Sequence, residues 1–135
     1  MVFAKTRLDN DILYITFEGD FKSYEDSCLY INTIKDLYTK EISFNCVFDV
    51  TSLSSLSYNS LLKLTDIFKK HMSIFKDMEN LSKQFMRSLV VKVDGYWCQF
   101  FVNLLLKIRK PVIEHWKICS SMDECERFIC QVNSK

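Results

Sequence analysis

One stretch limits the fold more than any other: Phe44 to Ser60, reading FNCVFDVTSLSSLSYNS. Its first half, Phe44 to Val50, is a short apolar run broken only by Asn45 and Asp49. That length, with β-branched and aromatic side chains, is the signature of a strand buried on both faces. A hydroxyl-rich segment without Gly or Pro follows, and an apolar spiral of helical spacing opens at Leu61. A strand buried on both faces and followed by a helix belongs in an α/β sheet, where binding or chemistry usually sits just past the strand's carboxyl end.

The rest of the chain repeats that alternation. Phe3–Asp9 and Ile12–Glu18 read as two strands joined by Asn10-Asp11, a pair that tolerates positive φ, so a β-hairpin is expected. Ser23 with Glu25 and Asp26 suits a helix start, and Tyr24, Cys28, Ile31, Ile34 and Tyr38 carry the helix to about Thr39. The second helix, running from Leu61 to near Asn80, places Leu64, Ile67, Phe68, His71, Phe75 and Met78 on one side. After a polar link, Phe85–Val93 reads as a strand, and Asp94-Gly95 as a turn.

Tyr96–Arg109 is a helix that is apolar on nearly all sides, which calls for deep burial or a covering partner. Pro111 ends it, and Val112, Ile113, Trp116 and Ile118 form the last strand. Ser121 and Glu124 make a capping box for a final helix striped by Met122, Cys125, Phe128, Ile129 and Val132. The order is β-β-α-β-α-β-α-β-α. It predicts a single α/β domain over residues 1–135, with a mainly parallel sheet of about five strands, an N-terminal antiparallel hairpin strand and about four helices.

Composition narrows the function classes. The chain has 135 residues, 48% of them hydrophobic and 26% charged, which is the balance of a folded globule. A net charge of +1 creates no long-range field for nucleic acid or an anionic membrane. Lys69-Lys70-His71 reads as a solvated helix face. No signal peptide or transmembrane run is apparent, so a cytoplasmic protein is expected, with its six cysteines as thiols.

This order, with VFDVTSLSSLSYNSLLKL at its centre, resembles the STAS domain of anti-sigma factor antagonists, above all the SpoIIAA-like subgroup, which is distantly related to CRAL-TRIO-like domains. The tail adds Arg87-Ser88-Leu89-Val90-Val91, an apolar helix, Lys110-Pro111-Val112 and Ser121-Met122-Asp123-Glu124-Cys125. The likeness runs roughly from Ile12 to Ile129. Asp49 matches the aspartate that ends the family's strand, and Ser57, Tyr58, Asn59 and Ser60 fall where the family has Asp-Ser-Ser-Gly. In that family the serine after the aspartate is phosphorylated by a partner kinase, which binds the same loop and helix. Here Tyr58 stands at the acceptor position and Ser57 at that of the aspartate; a slip of one residue makes Ser57 the acceptor. The resemblance implies a non-enzymatic regulatory module with a protein partner at Ser54, Ser57, Tyr58, Asn59 and Ser60.

Each candidate site also has a local explanation. The hydroxyls Thr51, Ser52, Ser54, Ser55, Ser57 and Ser60 form either a phosphoacceptor or anion-binding loop, or a helix cap and wet loop. His115, Cys119, Cys125 and Cys130 lack the short spacing of a zinc hook, so no metal is expected. Cys98 has neither an oriented base nor an oxyanion hole beside it, and two glycines leave no phosphate-cradling loop, so neither catalysis nor a cofactor is expected. Trp97, Phe100 and Phe101, with Trp116, either fill a core or line a pocket for a lipid or other apolar ligand. If the third helix shows its apolar side beyond Phe100, Phe101 and Leu105, self-association to a homodimer follows.

Overall fold

Asn10 and Asp11 turn the chain between β1 (Ala4–Asp9) and β2 (Ile12–Phe17), with Asn10 at a φ of 56°. The two strands pair antiparallel from Ala4 against Phe17 to Asp9 against Ile12, so the expected hairpin is present. The computed structural model of the protein describes residues 4–17, 29–52, 58–108 and 110–134. The expected helix start at Ser23 and the Gly19-Asp20 turn lie outside them.

The sheet continues with β3 (Phe44–Asp49), β4 (Met86–Lys92) and β5 (Trp116–Cys119), in the order β1-β2-β3-β4-β5. All pairs after the hairpin are parallel, and the Phe44 run is the middle strand. Between and after the strands lie α1 (Leu29–Thr39), α2 (Tyr58–Asp77), α3 (Glu79–Phe85), α4 (Tyr96–Ile108) and α5 (Met122–Asn133). This is the mixed, mainly parallel α/β sheet that the alternation predicts.

Strand order decides where the helices go. Each parallel crossover moves on to the next neighbour in the same direction, and right-handed crossovers then lay their helices on one face. Packing agrees. Leu13, Ile15 and Phe17 of β2, Phe44 and Cys46 of β3, and Val91 of β4 pack with Tyr30, Ile31 and Ile34 of α1, Phe85 of α3, and Val102 and Leu106 of α4. The alternate residues Val47 and Val90 form a separate cluster with Cys119 and with Cys125 and Ile129 of α5. We call these the first and second faces.

Three local details differ from the sequence-based expectation. The second helix opens at Tyr58 and stops at Asp77, where Met78 leaves helical geometry (φ −101°, ψ 22°) and redirects the chain. What looked like a polar link after it is a further helix, α3, held by Ser82, whose Oγ lies 2.8 Å from the Tyr38 hydroxyl. Val112 and Ile113 do not extend the last strand, which begins at Trp116; Ile113 is buried in a bent segment instead. At the end of α1, Glu41 adopts a φ of 57° while Ile42 N–H donates to Leu37 C=O and Glu41 N–H to Tyr38 C=O. That is a Schellman cap made without glycine.

At the amino ends of the parallel strands, β4 carries one extra residue. Phe44 pairs with Met86 but Asn45 with Ser88, so Arg87 bulges out toward Asp11 at 3.8 Å. Ser88 is thereby aimed at the second face, where its hydroxyl donates to Asn45 Oδ1 at 2.8 Å. The Asn45 side-chain amide donates to Asp11 Oδ2 at 3.2 Å, and Asn133 of α5 donates to the same oxygen at 3.2 Å. Asn45 and Ser88, polar residues inside the apolar strands β3 and β4, are wholly buried, with Ser88 bonded to Asn45 and Asn45 in turn to Asp11.

Candidate functional site

The carboxyl edge of the sheet is tied together by short-range bonds. Asp49 ends β3 and its Oδ1 accepts from Thr51 N–H at 3.1 Å and from the Thr51 hydroxyl at 2.7 Å. The aspartate is thus a turn former, bonded to the residue two positions on. Val50 N–H donates to Lys92 C=O at 3.0 Å, and the Ser52 hydroxyl donates to the Phe17 carbonyl, so the exits of β2, β3 and β4 are linked. Of the residues singled out beyond this turn, Ser54 and Ser57 lie outside the described residues. Tyr58, Asn59 and Ser60 form the first turn of α2, where Asn59 is exposed.

On the first face, between the sheet and α2, α3 and α4, lies a cavity of about 120 Å³. Phe17, Phe48 and Val91 form its sheet side; Phe68, His71 and Phe75 of α2 and Val102 and Leu106 of α4 form its helix side. The reason for the gap is visible in the rings. Phe17 meets Tyr30, Phe48 and Phe68 edge-on, with centroids 5.0, 5.7 and 5.5 Å apart. Rigid rings in T-shaped contact cannot bend to fill the space between them.

His71 is the polar member of that wall. It is 2% exposed, in keeping with its place on the apolar side of the second helix, whereas its neighbours Lys69 and Lys70 are exposed, so the solvated face read for all three ends at Lys70. Its Nδ1 lies 2.7 Å from the Tyr30 hydroxyl, the tautomer deciding which of the two donates. Burial lowers the imidazole pKa to about 4, so the ring is neutral at physiological pH. The Tyr30–His71 pair was not evident in the sequence. Tyr30 falls just outside the Cys28–Ile31–Ile34 stripe, and no pattern links it to α2.

The apolar helix α4 divides its residues. Val102 and Leu106 face the cavity, whereas Tyr96, Phe100 and Leu104 are 75%, 52% and 45% exposed. These three recur every four residues and therefore share one side of the helix. The side chains of Trp97, Phe101 and Leu105 lie outside the described residues. Phe100 and Trp116 are not in the cavity wall; Trp116 is half-buried against the first-face core.

Cys46, Cys119 and Cys125 are buried thiols and Cys130 an exposed one. Burial, then the neighbouring Cys119, pushes the Cys125 thiol up to about 12, the opposite of a reactive cysteine. Among the described residues no three His, Cys, Asp or Glu side chains converge as metal ligands, and none of the helices is long and apolar enough to cross a membrane.

No family model matches the chain, and no curated protein matches it. Among solved structures it is similar to the crystal structure of an anti-sigma factor antagonist from Mycobacterium paratuberculosis, with a TM-score of 0.45 and 11% identity over 96% of this chain and 92% of that one.

Proposed function

We propose that the protein is a non-enzymatic interaction module of regulatory type. Its partner surface is the carboxyl edge of the sheet: Ser54, Ser57, Tyr58, Asn59 and Ser60 at the entry to α2, and the outer side of α4. The observation that carries this reading is the apolar surface there. Leu62 near the start of α2 is 48% exposed, and Tyr96, Phe100 and Leu104 present one exposed side of α4. Both helices begin at the same sheet edge and touch each other. Large apolar side chains left exposed are costly in water, and a partner that covers them gains roughly 25 cal/mol per Å². The sequence resemblance points to the same edge, since Asp49 and the residues after it are where the STAS pattern meets its kinase.

The test is affinity capture from the native cell with the wild-type chain and single variants. One protein should be retained by wild type and by Lys76→Glu on the outer side of α2, and lost with Phe100→Glu. Ser57→Asp should weaken the same interaction, because a fixed charge must be desolvated at the contact. Ser57→Ala should leave it intact. A partner that Phe100→Glu and Ser57→Asp both retain at the wild-type level overturns the assignment of this surface.

A further inference from the structure

We propose that the first-face cavity is a binding site for a small hydrophobic carboxylic acid, its ring or short chain inside the cavity and its carboxylate on Lys110. The proposal concerns a different site from the partner surface and does not depend on it.

The interior of the cavity suits hydrocarbon. Its polar side groups are already engaged: the Tyr30 hydroxyl with His71 Nδ1 at 2.7 Å, and Ser82 Oγ with the Tyr38 hydroxyl at 2.8 Å. Among the described residues no buried side-chain nitrogen or oxygen lacks a hydrogen bond. A water molecule needs two to four polar partners to settle in a cavity, and these walls offer it few. Burial keeps His71 uncharged, so no fixed charge repels hydrocarbon from within.

Size limits the occupant. The volume is about 120 Å³, against about 150 Å³ for a dry protein cavity that takes up benzene. One aromatic ring or a short aliphatic chain matches that space; a long acyl chain does not.

The mouth determines the head group. Of the described residues lining the cavity, Lys110 alone is exposed, which sets it at the rim. Pro111 follows it directly and restricts the backbone at that point. No carboxylate pairs with Lys110 among the described residues, while Asp9, Asp11, Asp36 and Glu79 take Arg7, Arg87, Lys40 and Lys83. A lysine at the rim of an apolar cavity lays its methylene stem along the wall and keeps its ammonium in water, where an acid's carboxylate reaches it. An amine would meet like charge at the same place.

The test uses the full chain with methyl-resolved NMR and thermal denaturation, titrated with benzoate and hexanoate and with the neutral benzyl alcohol and hexan-1-ol. At least one acid should bind saturably, shift the methyl signals of Val102, Leu106 and Ile113, and raise the melting temperature. Benzoate alone, or hexanoate alone, tells ring from chain. Lys110→Glu replaces attraction by repulsion and should weaken the acid by about tenfold while leaving the matching alcohol unchanged. Val102→Phe fills the cavity and should abolish both. Lys110→Glu changes an exposed side chain and leaves the core intact, so it decides the matter even if Val102→Phe does not fold. Absence of saturable shifts at those methyls with both acids overturns the proposal, as does undiminished acid binding to Lys110→Glu.

Discussion

The face of the sheet under α1–α4 and the face under α5 are built from alternate residues of the same strands, and they are filled by different means. The first face holds large rings in edge-on contact, Phe17, Tyr30, Phe48 and Phe68, with a cavity among them. The second is closed by one helix over a buried centre of small and branched side chains, Val47, Val90, Cys119, Cys125 and Ile129, with the partly buried Ile12, Tyr14, Met122 and Phe128 packed against it. A single helix can approach a sheet closely where the residues between them are small. Several helices meeting at angles need bulky side chains to bridge the wider space, and rigid rings bridge it incompletely. Room for a ligand is thus a by-product of winding the chain in one direction.

The largest effect should separate the faces by truncation. Ile129→Ala removes a 2%-exposed side chain from the second face and should cost about 3 kcal/mol in urea denaturation. Leu106→Ala at the cavity wall should cost nearer 2 kcal/mol, because its cavity side makes no contacts to lose. Equal losses would mean that the faces are packed alike.

Acid should act on the first face through His71. Its pKa in the folded chain is about 4 against an ordinary 6.5. Between these values the unfolded chain takes up a proton that the folded chain refuses. Stability is therefore fully present above pH 6.5, is lost progressively as pH falls, and levels off below pH 4. The difference amounts to roughly 3 kcal/mol. Denaturation of wild type and His71→Gln at pH 7 and pH 4 isolates it from the carboxylates: the variant should lose less stability by that amount. Parallel losses would remove His71 from the account.

The smallest effect is the most discriminating in sign. Val102→Ile adds a methylene next to open space and should stabilise by about 1 kcal/mol. Val90→Ile adds the same group to the close-set second face and should destabilise by about 1 kcal/mol. Melting temperatures moving in the same direction for both would remove the contrast.

Much of this was legible in the chain because its signals are local. The Asn10-Asp11 hairpin, the buried run from Phe44, and the Ser121–Glu124 cap, seen as Glu124 N–H donating to Ser121 Oγ at 3.2 Å, each rest on neighbours in sequence. Where the expectation failed, the local pattern was ambiguous. Helix α3 turns Ser82 inward with Phe85, so its apolar period is hidden by a hydroxyl that only Tyr38 explains. Val112 and Ile113 have the composition of a strand, but an apolar run cannot by itself tell a strand from a buried bend. His71 carried two signals, the apolar stripe of the second helix and the basic run with Lys69 and Lys70, and its burial follows the stripe. As for the site, the hydroxyl segment drew attention to the carboxyl edge. The cavity has no signature of its own, since β2, β3, β4, α2 and α4 each contribute only a few residues to it.

The division of helices between the faces also sets the order in which the protein can be completed as it is made. Helices α1 to α4 each lie between two strands that they join, so the first face can close step by step as the chain leaves the ribosome. Helix α5 follows all five strands in the chain. Until it emerges, Val47 and Val90 stand on a finished sheet without the helix that buries them, on an apolar surface open to other nascent chains. Products that stop before Met122 should therefore reach the insoluble fraction even though the first face is complete, and the yield of soluble protein is governed by how promptly those last turns arrive and dock.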